Sequence, residues 1–170
     1  RPITMKKDST GLRKLLEHQV ADMYYAENQL VKTLPKMAEK AQYEGLRKAF
    51  EGHLVETRNH VSRLEQVFEA LGVPKEGRKC HAIDGILKEG SEIMEEFADD
   101  PALDAGLVAA GQKVEHYEIA TYGFLCEWAG DLGLSQVKIL LHQTLEEEKA
   151  ADRKLTELAK SAVNQEGEMA

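Results

Sequence analysis

Apolar residues recur along most of the chain at intervals alternating between four and three, a rhythm that predicts long amphipathic helices. The first helix begins near Ser9 or Thr10 and carries Leu16, Val20, Met23, Leu30, Leu34, Met37 and Ala41; position 27 completes the series and is a glutamate. Pro35 falls inside this block and is expected to kink the helix rather than end it, because the apolar period continues beyond it. Tyr43-Glu44-Gly45 is read as a short turn with Gly45 in the left-handed position after the helix. A second helix runs from about Leu46 to Leu71 with the stripe Phe50, Leu54, Val61, Leu64, Phe68 and Leu71, stopped by Gly72-Val73-Pro74. A shorter amphipathic helix, roughly Ala82 to Ala98, follows a polar stretch. Asp100 is expected to cap a third long helix with Pro101 in its first turn. That helix reads through Leu107, Val114, Thr121, Leu125 and Trp128 to Leu132-Gly133, and Ser135 is expected to cap the fourth, whose seam is Leu141, Leu145, Leu155 and Ala159. From Asn164 the tail is expected to fray. No segment has the two-residue period of a strand.

Two helix hairpins with short turns, joined by one long connection, make an all-α fold: a ferritin-like antiparallel four-helix bundle whose crossover contains a short extra helix. One domain is expected over residues 9–164, after an extraneous, disordered leader at 1–8 and before a frayed tail at 165–170.

Composition narrows the function. A formal net charge of −8 leaves no basic footprint for nucleic acid, so no nucleic-acid partner is expected. The longest stretch free of Asp, Glu, Lys and Arg is eight residues, far below the roughly 20 that a membrane span needs, so no membrane partner is expected either. The absence of an apolar leader points to the cytoplasm. Cys80 and Cys126 stand in unrelated contexts without CxxC spacing and are read as reduced thiols. Phosphate-binding loops, the G-x-S-x-G elbow, HExxH and haem attachment sequences are all missing.

The informative feature is where acids fall. Glu27 sits between Met23 and Leu30 on the first seam. The third long helix has the series Val108, Gly111, Glu115, Glu118, Tyr122, Leu125, Ala129, Leu132, and the fourth has Leu141, Leu145, Glu148, Asp152, Leu155. The inner edge of the second helix carries His53, Glu56, Thr57 and His60. Separations repeat between the hairpins: Glu27 to His60 and Glu115 to Glu148 are both 33 positions. Several ionised carboxylates converging inside a bundle cost several kcal/mol each unless something neutralises them. A pair of divalent cations does so, and hard oxygen donors with one or two imidazoles suit iron or manganese in a dinuclear site. The proposed ligands are Glu27, Glu56, Glu115, Glu118 and Glu148, with His60 and Asp152 as further members; Glu147 stays open as the alternative to Glu148. His53 is read as a hydrogen-bonding or core histidine, His116 as lying beside the acidic face, and Tyr122 as a partner for a ligand carboxylate. On the opposing view these acids belong to solvated faces, making i,i+4 pairs of about 0.2–0.5 kcal/mol.

The segments Tyr25–Leu30, His53–Thr57, Lys113-Val114-Glu115-His116-Tyr117-Glu118-Ile119-Ala120-Thr121-Tyr122-Gly123 and Leu145–Asp152 resemble the YciF-type bacterial stress-response proteins of the ferritin-like superfamily. The resemblance runs from about Leu12 to Leu158. It implies a rubrerythrin-like bundle, a homodimer and a dinuclear metal centre formed by Glu27, Glu56, Glu115, Glu118, the fourth-helix acids Glu147 and Glu148, and Asp152. Val55 stands where relatives often carry a second glutamate, Glu56 to His60 is not the ferritin Glu-x-x-His spacing, and the fourth helix offers Asp152 and no histidine on its seam. The expected reaction is with a small oxidant, dioxygen or peroxide. The competing expectation is a structural, stress-induced helical dimer whose acid seam gives specificity or holds metal only to stabilise the fold.

Overall fold

The computed structural model describes residues 11–169. The expected leader at 1–8 and the helix start at Ser9 or Thr10 lie outside the described residues. Four long helices form the bundle: α1 (Gly11–Lys40), α2 (Glu44–Leu71), α4 (Leu103–Asp131) and α5 (Ser135–Leu158), with α3 (His81–Glu96) in the crossover. No strand occurs among the described residues, and no helix among them is long and apolar enough to cross a membrane.

The apolar core is divided in two, and the division gives the helix directions. One half holds Leu30, Leu34 and Met37 of α1, Leu46 and Phe50 of α2, Leu107 and Val114 of α4 and Leu155 of α5. The other holds Leu16, Val20 and Met23, then Leu64 and Leu71, then Tyr122 and Leu125, then Leu141 and Leu145 of the same helices in order. Thus α1 and α5 run one way while α2 and α4 run the other. Packing of α1 on α2, α4 on α5, α2 on α5 and α1 on α4 makes a square in which every neighbour is antiparallel. The crossover must carry the chain from one end of the bundle to the other, and α3 covers α4 on the way.

Local chemistry explains most boundaries. Gly72 ends α2 with φ 67°, its N–H bonded to carbonyls of the last turn, the left-handed stop that glycine supplies without strain. Gly45, by contrast, lies inside the first turn of α2 and not in the left-handed position expected for it. Its requirement is space, since a Cβ there would meet the Tyr43 ring at 2.6 Å. The α1–α2 turn is held from across the bundle by buried Asp104, which accepts the N–H groups of Gln42 at 2.8 Å and Tyr43 at 2.7 Å. Asp104→Ala would leave both donors unpaired, so it is expected to cost about 3 kcal/mol, read as a lower urea midpoint with unchanged slope.

Other expected ends shift slightly. Asp100 accepts the Ala102 N–H at 2.8 Å, but α4 begins at Leu103 after this turn. Ser135 is the first residue of α5 and not its cap. The chain does not fray at Asn164: a π-helical turn, Ala159–Val163, leads into α6 (Asn164–Glu168). Val163 is fully buried, and its apolar contacts explain why helical structure persists.

Candidate metal centre

Between the two apolar halves lies a polar layer supplied by all four long helices. Glu27, Thr57, His60, Glu118 and Glu148 are fully buried, with Glu115 and His53 nearly so. On α2 the inward positions are Leu46, Phe50, His53, Thr57, His60, Leu64, Val67 and Leu71, again alternating four and three. Thr57 is neutralised locally, donating its hydroxyl to the His53 carbonyl at 2.7 Å. The two histidines therefore face the interior two turns apart, with ring centroids separated by 6.2 Å.

The layer contains two groups of side chains able to hold a metal ion, with ligand atoms in each lying within 4.8 Å of one another: Glu27, His60 and Glu148 in one, and His53, Glu115, Glu118 and Glu148 in the other. Glu148 belongs to both. Its Oε1 lies 2.9 Å from His60 Nδ1, and its Oε2 lies 3.6 Å from His53 Nε2. Glu115 Oε1 reaches His53 Nε2 at 2.8 Å, and Glu27 Oε1 lies 3.7 Å from His60 Nδ1. Tyr122 donates its hydroxyl to Glu27 Oε1 at 2.7 Å, the contact with a carboxylate expected for it.

Each histidine turns its second nitrogen outward to a half-exposed glutamate. His53 Nδ1 meets Glu56 Oε2 at 3.1 Å, and His60 Nε2 meets Glu147 Oε2 at 2.9 Å. Arg63 fixes Glu147 with contacts of 2.8 and 3.3 Å and donates to Thr144 at 2.6 Å. Outer carboxylates of this kind orient an imidazole and set its tautomer. The structure thus separates adjacent acids: Glu148 points in and Glu147 points out.

Of the residues expected as ligands, Glu27, His60, Glu115, Glu118 and Glu148 come together, whereas Glu56 and Asp152 do not. Glu56 is exposed and serves His53 from outside. Asp152 sits at the α4–α5 edge, 3.2 Å from His116 Nε2 and 3.4 Å from the Gln112 amide. His53, read from sequence as a hydrogen-bonding or core residue, stands among the inner carboxylates.

The electrostatics show how uncomfortable the layer is when it holds acids alone. Both oxygens of Glu118, both of Glu148, and Oε2 of Glu27 and Glu115 are buried with no backbone, hydroxyl or amide donor, so the protons they share come from one another and from the imidazoles of the layer. Burial and the charge on Glu148 push Glu27 up to about 7, although His60 and Tyr122 pull the other way. Burial, then Glu148, raises Glu115 and Glu118 well above the usual carboxylate range. Burial opposes the charge on Glu148 too, yet hydrogen bonds from Glu118, His60 and Glu115 outweigh it and hold Glu148 ionised. Burial disfavours the charged imidazoles, but Glu115 and Glu56 raise His53 well above its ordinary value and Glu148 with Glu27 raises His60. Retained protons thus do what cations do better: they lower the mutual repulsion of converging carboxylates. The donors are four carboxylates and two imidazoles with no thiolate, a set that fits iron or manganese.

A family model described as a domain of unknown function, DUF892, matches residues 11–168. Protein YciF of Escherichia coli K12 is 45% identical over 152 residues, covering 89% of this chain and 92% of that protein. The crystal structure of the E. coli stress protein YciF superposes with a TM-score of 0.87 at 42% identity, covering 92% of this chain and 99% of the other. YcfI of Rhodopseudomonas palustris, proposed to be a structural protein, has a TM-score of 0.85 at 46% identity, covering 89% and 97%. A Xanthomonas campestris protein shares the fold at 21% identity with a TM-score of 0.72, covering 93% and 97%.

Proposed function

Since the chain belongs to the DUF892 family and is YciF-like throughout, we propose that it is a stress protein whose buried layer binds two iron or manganese ions and meets dioxygen or peroxide there. The observation that carries this reading is Glu148, a buried carboxylate with one oxygen toward each histidine, common to both groups of ligands and given no donor from outside the layer. A bound redox-active pair would supply the electrons for reducing a small oxidant. The chain's own residues do the rest. Glu56 and Glu147 orient His53 and His60 from outside, Tyr122 fixes one oxygen of Glu27, and the apolar halves on either side exclude water. Glu147, part-exposed and touching His60 Nε2, gives protons a short route between solvent and the layer. On the same reading the protein works in the cytoplasm as a homodimer, and light scattering should give twice the chain mass of 19.0 kDa.

The test is to load the protein anaerobically with Fe²⁺, then add peroxide or air-saturated buffer. Oxidation should be stoichiometric and faster than for free Fe²⁺, and Glu118→Ala should lose it. A second reading, a structural protein with no redox role, is favoured by the description of the R. palustris relative; it predicts no such acceleration. Glu56→Ala, which frees His53 Nδ1, is expected to weaken metal binding about tenfold without removing it, as measured by Mn²⁺ titration.

A further inference from the structure

A cavity of about 150 Å³ adjoins the polar layer. Its walls include Leu34, Met37, Phe50 and Leu155, and its inner end is formed by His53 and Glu115. The opening lies between α2 and α5, where Gly52 and Glu56 face Ala150 and Lys154. Small side chains along these two helices create the gap. A Cβ on Gly52 would meet nothing within 4 Å, so the space there is real and not taken up by a neighbour.

Three features define an occupant. An apolar cavity of about this volume accommodates a molecule as large as benzene, and such a space gives a water too few of the two to four polar partners it needs. The inner end offers a buried polar atom, Glu115 Oε2, which has no backbone, hydroxyl or amide partner while Oε1 is held by His53. The mouth pairs one acid with one base, Glu56 and Lys154, so it selects for neither sign of charge. A carboxylate ligand would set a second acid against Glu115, and an ion of either sign would lose its water to walls that are mainly aliphatic and aromatic. We propose that this cavity binds a small neutral molecule of one aromatic ring, or a comparable short alkyl chain, whose single hydroxyl points at Glu115 and His53. The proposal rests on the metal reading, because it places that hydroxyl against the centre and so names the class of organic ligand the centre would meet.

The probe is p-cresol, titrated by calorimetry into metal-free and Mn²⁺-loaded protein, with Mn²⁺ stoichiometry measured separately. One p-cresol per chain should bind, and Ala151→Leu, which adds a side chain to the cavity wall, should weaken binding at least tenfold while Mn²⁺ binding is unchanged. Gly52→Leu blocks the mouth independently and should do the same, so a folding failure in one variant does not shield the idea. Wild-type protein that binds Mn²⁺ but not p-cresol overturns the cavity proposal and leaves the metal centre standing. Equal binding to wild type and both variants overturns it as well, because the probe then sits elsewhere. Binding of p-cresol without any Mn²⁺ binding removes the metal reading, and with it the claim that the ligand lies against a reactive centre.

Discussion

Glu148→Ala is expected to abolish the binding of both metal ions, not of one. Every other inner residue belongs to a single group of ligands, so Glu27→Ala should spare the side formed by His53, Glu115 and Glu118, and Glu115→Ala should spare the side formed by Glu27 and His60. Glu148 alone turns one oxygen toward each histidine. Its loss removes a donor from both sides and leaves the three remaining acids without the ionised partner around which their protons are arranged. In Mn²⁺ titrations the wild type should take up two ions per chain and Glu27→Ala one tight ion. Glu148→Ala should take up none at concentrations 100-fold above those that saturate the wild type. A Glu148→Ala protein that still holds one tight ion would show that the carboxylate is not shared.

The second large effect concerns the protein without metal, which should lose stability as pH rises from about 5 through 7. Glu27 has its folded pKa raised from 4.5 to about 7, so the native state holds a proton that the unfolded chain releases earlier. Stability from that proton is fully present below 4.5 and is lost as pH climbs through about 7. Glu115, Glu118, His53 and His60 are shifted upward as well, and their contributions have the same sign. Glu148 is shifted downward and acts only below its ordinary range, outside this window. The Glu27 shift alone corresponds to about 3 kcal/mol, at 1.36 kcal/mol per unit, which for a chain of this size is a fall of roughly 6–12 °C in Tm. Because metal replaces protons on the same oxygens, its affinity should increase over the same range, and loading should reverse the loss. Differential scanning fluorimetry of chelator-treated and Mn²⁺-loaded protein across this range checks both signs. A metal-free Tm that rises steadily from pH 5 to 8 would show that the layer carries no excess protons.

Much of this layer is legible in the sequence, and the places where it is not have a common geometric cause. Glu27 could be found because Met23 and Leu30 flank it at four and three residues, so the seam passes through it without ambiguity. Glu115, Glu118 and Glu148 follow the same logic. On α2 the search for apolar residues favours Leu54 and Val61, which are only half-buried, and moves the stripe one position off the true seam through His53, Thr57 and His60. The signal was present as an unbroken four-three series from Leu46 to Leu71, but its middle three members are polar. That misplacement made Glu56 look like a ligand; one residue before Thr57 on a helix is about 100° around the axis, which turns it to the surface. Asp152 fails similarly. A step of four residues from Glu148 overshoots a full turn by about 40°, and the side chain meets His116 at the helix edge instead of entering the layer. The position three after Glu148 is Ala151, which lines the cavity. Bundle topology was accessible from Gly72, the proline-glycine punctuation and helix lengths. The grip of Asp104 on the α1–α2 turn was not, because it joins residues about 60 positions apart that no local pattern relates.

The most direct test of the metal centre is anomalous diffraction from crystals of the full chain grown with Mn²⁺, recorded on both sides of the manganese edge. The account predicts two peaks in each chain, one beside Glu27 and His60 and the other beside His53, Glu115 and Glu118, with Glu148 reaching both. Fully formed crystals whose inner carboxylates remain packed on one another, with no anomalous peak between them, would contradict it.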